Sequence, residues 1–124
     1  MEFQKDNTFI TGRLKSVGFA LKGAYKLITT EHSIMVQSAL AVVMIFAGFI
    51  LNISRIEWMI QILVFGLVLS VESLNTAVEK IADFIHPEFH DRIGFIKDIA
   101  AGAVMFAAIA AVTIGLLIYV PKFL

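Results

Sequence analysis

The sequence predicts an all-α integral membrane protein: a three-helix transmembrane bundle preceded by an N-terminal amphipathic surface helix. Three observations lead there. Of its 124 residues, 59% are hydrophobic and 16% charged, against about 45–50% and about 25% in a soluble domain. The mean hydropathy is +0.88. Three apolar runs each have about the length, ~20 residues, that crosses ~30 Å of hydrocarbon.

The first run, Ile34 to Leu51, reads IMVQSALAVVMIFAGFIL and carries no charge. The second, Trp58 to Val78, reads WMIQILVFGLVLSVESLNTAV, and its helix is expected over 58–80. The third, 99–120, is uncharged throughout. A bilayer offers no water to backbone N–H and C=O groups, so each run is expected to be helical. The alternative, a soluble protein with three buried helices, fits these run lengths poorly. The short loop from Asn52 to Glu57 makes the first two spans an antiparallel hairpin. The second loop, from about Phe84 to Lys97, contains Pro87 and Gly94. A proline restrains the residue before it from helix, so continuity is not expected there. The chain reads as a single domain over 1–124, with an amphipathic helix at 8–30 and spans at 34–51, 58–80 and 99–120.

Segment 8–30 differs from the spans. Apolar residues such as Phe9, Leu14, Val17, Leu21 and Ile28 alternate at roughly helical spacing with Arg13, Lys15, Lys22 and Lys26. Such a basic amphipathic helix lies in the headgroup plane; an ordinary helix packed on the bundle is the alternative. Gly12, Gly18 and Gly23 weigh against one unbroken helix. Residues 1–32 hold no long apolar stretch, so no cleaved signal peptide is expected. Eight Lys and Arg fall before the first run or between the second and third, and only Arg55 and Lys122 elsewhere. The N-terminus is therefore expected in the cytoplasm and the C-terminus outside. A formal net charge of zero gives no reason to expect a nucleic-acid partner. The absence of cysteine excludes disulfides and thiol chemistry. His32, His86 and His90 have no recognisable metal spacing and read as surface or loop residues.

The chemistry concentrates in the second span. At about 100° per residue, Glu72, Asn75, Glu79 and Asp83 fall within roughly 80° of one another, with Thr76 beside them. A carboxylate at the membrane centre costs about 2.5–3.5 kcal/mol on the lenient insertion scale. Glu72 is expected in the inner half of the bilayer, where the cost is smaller, and Asp83 near the surface. Stacked like charges repel unless a cation sits among them. Glutamates and asparagine are hard oxygen ligands of the kind that suit magnesium. Helix–helix adhesion is the competing explanation, but two glutamates, an asparagine and an aspartate exceed what adhesion needs. Glu31 and Asp98 are placed to reach the same layer, although an Asp where a third span starts is equally well explained as a helix cap. Lys97 is either a phosphate contact or an ordinary positive-inside residue. The small residues Ala100 to Ala103 allow close helix approach.

Together these residues resemble the prokaryotic diacylglycerol kinase family, small membrane lipid kinases that include the undecaprenol kinases. The resemblance lies in ESLNTAVE at 72–79, Asp83, the His90-Asp91 to Lys97-Asp98 segment and AAGAV at 100–104. Glu31 and the run RLKSVGFALKG at 13–23 also fit. It implies a homotrimer that uses MgATP to phosphorylate a membrane lipid alcohol, either diacylglycerol or undecaprenol. It implies Glu72 as general base and Glu31 and Glu79 as metal carboxylates. By the same carry-over, Arg13, Asn75, Glu79, Lys97 and Asp98 look like nucleotide contacts, and Glu72, Asn75 and Thr76 like lipid contacts. The site of action is then the inner, cytoplasmic membrane of a prokaryote. No phosphate-binding glycine loop is present, as in that family. A small ion- or proton-translocating protein is the alternative for intramembrane carboxylates, and a structural subunit is a third. The first and third spans offer no ionisable continuation for a translocation path.

Overall fold

A computed structural model describes residues 9–124. Lys5 and the expected start of the surface helix at Thr8 lie outside them. The described residues form four helices and no strand: α1 Phe9–Thr30, α2 His32–Ile50, α3 Arg55–Ile85 and α4 Asp91–Phe123. Three of them, α2, α3 and α4, are long and apolar enough to cross a membrane. At 1.5 Å per residue the 31 residues of α3 reach about 46 Å, so its ends project beyond ~30 Å of hydrocarbon.

Helix α3 is the centre of the bundle. It packs most extensively on α4 and also on α2, while α1 packs mainly on α2 and buries none of its residues. The core is thin. Ile34, Ile53, Val68, Ala82, Ala107 and Ile118 are its buried apolar residues, and among the described residues no large side chain is fully enclosed. Most other apolar side chains face outward, as expected where the solvent is lipid and burial against protein offers no hydrophobic gain.

The α2–α3 hairpin is specified locally. Asn52 takes the left-handed conformation (φ 54°) that ends α2, a role Asn tolerates. Ser54 then caps α3: its hydroxyl accepts from Glu57 N at 3.2 Å, and Glu57 Oε1 accepts from Ser54 N at 2.9 Å. This reciprocal box satisfies two otherwise unpaired donors. Gly48 lets the hairpin close. A Cβ there would stand 2.7 Å from Trp58 Cη2 and 3.1 Å from Ile53 Cδ1. Trp58 lies against that gap, its ring 4.9 Å from Phe49. The Glu57 end of the bundle is tied to α4 by Lys122, 3.1 Å from Glu57 Oε1.

Several local expectations change. Helix α1 is unbroken through Gly12, Gly18 and Gly23, each of which costs about 1 kcal/mol relative to alanine. Helices α3 and α4 run past both ends of their apolar cores, leaving only residues 86–90 between them. The turn at Pro87 is where helix stops, but α4 restarts at Asp91 rather than near 99. His90 is its N-cap, accepting from Arg92 N at 3.0 Å. Asp98 therefore sits two turns inside α4 and caps nothing. Among the small residues at 100–103, Gly102 has open space where a Cβ would stand. The buried small residues of α3 and α4 are Ala82 and Ala107.

Candidate active site

The polar stripe of α3 extends its buried face. Gln61, Val68, Glu72 and Thr76 are the buried residues leading into it. Beyond Thr76 the face continues through Glu79 and Asp83, but there it is exposed. The stripe thus runs from inside the packed bundle to an uncovered surface at the Glu31 end.

Glu72 is 9% exposed. Its Oε1 accepts a long hydrogen bond, 3.4 Å, from Gln37 Nε2 of α2. Its Oε2 is buried and has no partner. One turn on, Asn75 donates from Nδ2 to Glu79 Oε1 at 3.3 Å. That contact fixes the amide orientation, since the reverse would set oxygen against carboxylate. It leaves Asn75 Oδ1 buried and also unpartnered. Thr76 Oγ1 donates to Glu72 O at 3.0 Å, so its proton is committed to the helix backbone. Buried polar atoms are nearly always satisfied, and one left unmade costs about 1–3 kcal/mol. Two such oxygens lie within one turn of α3.

The other expected residues surround this pair unevenly. Glu31, at the α1–α2 junction, pairs with Lys80 Nζ at 3.0 Å, which brings it beside the stripe. Lys97 is held by Asp83 at 2.6 Å, joining α4 to the end of the stripe. Asp98 is exposed on α4. Arg13 lies on α1 with its guanidinium 4.9 Å from the Phe9 ring centre, its contact being within its own helix. Among the described residues no three His, Asp or Glu side chains converge as a ready metal cage. Of the histidines, His86 and His90 meet edge to face at 5.3 Å in the α3–α4 turn, and His86 Nδ1 lies 2.6 Å from Glu88 O.

Comparison with known proteins decides the family. The family model for prokaryotic diacylglycerol kinase matches residues 18–119. The chain belongs to the prokaryotic diacylglycerol kinase family. It is 40% identical over 108 residues to undecaprenol kinase of Bacillus subtilis (strain 168), covering 87% of this chain and 88% of that protein. It is 33% identical to diacylglycerol kinase of Synechocystis sp., covering 90% of this chain and 64% of that one. It is 29% identical to diacylglycerol kinase of Escherichia coli (strain K12), covering 86% and 88%. As a prokaryotic diacylglycerol kinase family member it is an ATP-dependent lipid kinase of the membrane. The stripe at 72–83, Lys97 and Asp98 all lie within the matched residues, whereas Arg13 lies before them.

Two polar partners in this kinase were not singled out in the sequence. Gln37 reaches Glu72, and Gln61 lies buried near the Glu57 end with Tyr119. The signal was present: an amide inside an apolar span needs a partner. Periodicity alone does not say which neighbouring helix supplies it.

Proposed function

We propose that this chain transfers the γ-phosphate of ATP to the hydroxyl of a membrane lipid alcohol, with undecaprenol favoured over diacylglycerol. The 40% identity to an undecaprenol kinase supports that preference. The observation that carries the chemistry is the half-satisfied Glu72, buried against Gln37 with a free carboxylate oxygen. A base must lie within hydrogen-bond reach of the proton it removes. Glu72 lies in the apolar part of the bundle, where a lipid hydroxyl arrives without leaving the membrane. In this reading Glu72 Oε2 accepts the hydroxyl proton as the lipid oxygen attacks the γ-phosphorus and the bond from that phosphorus to the β,γ-bridging oxygen breaks, releasing ADP; Gln37 holds the carboxylate in place.

Phosphoryl transfer asks mainly for positioning and charge neutralisation. The residues fit a magnesium ion: Glu31 and Glu79 are hard oxygen donors, and the unpartnered Asn75 Oδ1 is another. Mg²⁺ is commonly held by one or two carboxylates plus substrate phosphates rather than by a complete protein cage. When bound, it would neutralise charge on the phosphates. Arg13, Asn75, Glu79, Lys97 and Asp98 are assigned to the nucleotide, and Glu72, Asn75 and Thr76 to the lipid. The exposed Glu79 and Asp83 support a homotrimer in which neighbouring copies complete the site. The eight-to-two distribution of Lys and Arg supports a prokaryotic inner-membrane protein with a cytoplasmic N-terminus.

The test is transfer of labelled phosphate from ATP to undecaprenol and to diacylglycerol, side by side, in bilayers with magnesium. Phosphorylation of undecaprenol in preference is expected. Equal or reversed preference overturns the lipid assignment, and no transfer to either overturns the kinase reading.

A further inference from the structure

Between α2, α3 and α4 lies a cavity of about 280 Å³, lined mainly by apolar side chains such as Leu40, Val64, Val68 and Ile118. One end is Gln37, the residue that also donates to Glu72. The other end is closed by a polar knot. Gln61 Nε2 donates to Met44 O at 3.3 Å, and the Tyr119 hydroxyl meets both Met44 O and Gln61 Oε1. A tyrosine has one proton, so its short contact goes to Gln61 Oε1 while Gln61 supplies Met44 O. Gln61 and Glu72 are eleven residues apart on α3, about 16 Å along its axis.

We propose that this cavity takes the part of the lipid tail next to the hydroxyl, and that the Gln61–Tyr119 knot is the stop that sets how far the tail enters. The proposal rests on the lipid-kinase reading of Glu72. Continuity through Gln37 places the cavity directly beyond the proposed base. Its volume lies just below the range of about 300–1,000 Å³ for ligand pockets, which suits one chain rather than two. Gly115 keeps it open: a Cβ there would meet nothing within 4 Å, yet the residue lines the cavity. A tail drawn from lipid gains little from moving into an apolar cavity. What it gains is a fixed depth, which sets the hydroxyl against Glu72, and a misplacement of about 1 Å can cost 10²-fold in rate. Tail beyond the stop leaves sideways into the bilayer.

Two variants alter the cavity in opposite directions. Gln61→Ala with Tyr119→Leu removes both partners of the knot and lengthens the cavity, while Met44 O keeps its helical bond. Gly115→Leu fills it. Primary alcohols of graded tail length, each with a terminal diazirine, report in two ways. Phosphorylation gives kcat/KM against length, and photolabelling maps the tail end without turnover. In the wild type kcat/KM is expected to rise with tail length until the tail spans ~16 Å and to level off beyond it, tails of that length labelling the segments around Gln61 and Tyr119. The double variant should move that levelling point to longer tails, and Gly115→Leu should lower kcat/KM about tenfold at the length where the wild type levels off. An unchanged length profile in the double variant overturns the role of the knot. Label confined to lipid-facing residues, or a cavity that a second copy of the chain proves to fill, overturns the tail site. Labelling in a Glu72→Gln background decides the matter even where no phosphate transfer occurs, which separates this proposal from the kinase reading.

Discussion

At the scale of single residues, the site is defined by what its polar atoms lack. Glu72 and Asn75 sit one turn apart on α3, each with one satisfied atom and one buried orphan. Removing the sole donor to the carboxylate should therefore be felt twice. Gln37→Leu leaves Glu72 buried with neither oxygen paired, a cost of about 1–3 kcal/mol. Its effect should shrink when Glu72 is itself replaced by Gln, so a double-mutant cycle in unfolding free energy should show coupling. Additive effects would mean that the 3.4 Å contact holds nothing in place. The ion pairs of the same region predict a contrast. Asp83→Asn breaks an exposed pair with Lys97, and such pairs are worth about 0–1 kcal/mol. Stability should barely change, whereas Lys97→Met should raise KM for ATP if Lys97 meets phosphate.

At the scale of elements, the hairpin between α2 and α3 sets the register of the stripe. Its turn residues, Asn52, Ser54 and Glu57, were local enough to be read as a short connection from sequence. The reason for Gly48 was not, because the Trp58 ring that needs its missing Cβ comes from the next helix. Gly48→Leu should destabilise the folded protein by about 1–3 kcal/mol through overpacking, read as a lower unfolding midpoint in detergent. Gly18→Leu, in open space on α1, is the control and should not. The helix ends show the same division. Apolar runs marked where α3 and α4 cross hydrocarbon, but not where they stop, because the turns that extend them at 81–85 and 91–98 set Asp83, Asp91, Arg92, Lys97 and Asp98 among apolar residues and so break the uncharged pattern. Asp98 was consequently read at a helix start when it lies two turns inside α4.

At the scale of the whole molecule, much was legible. Run length and hydropathy predicted three spanning helices, because a bilayer constrains composition more tightly than water does. The stripe was legible because Glu and Asn are costly in that setting. The partners Gln37, Gln61 and Tyr119 were not, since they depend on how three helices rotate about their axes. The expected orientation makes its own prediction. The chain has no cysteine, so single cysteines report cleanly. In intact cells, one at Leu124 should react with an impermeant thiol reagent and one at Glu88 should not. The reverse pattern would put the nucleotide side of the stripe on the wrong face of the membrane.

The most direct measurement concerns Glu72. Glu72→Gln keeps the shape and one hydrogen-bonding oxygen but removes the base. Phosphate transfer to the lipid alcohol should fall at least 10²-fold, the lower range of general-base contributions. Helical content, unfolding midpoint and ATP binding should stay near wild type. Transfer at the wild-type rate by that variant would contradict the account.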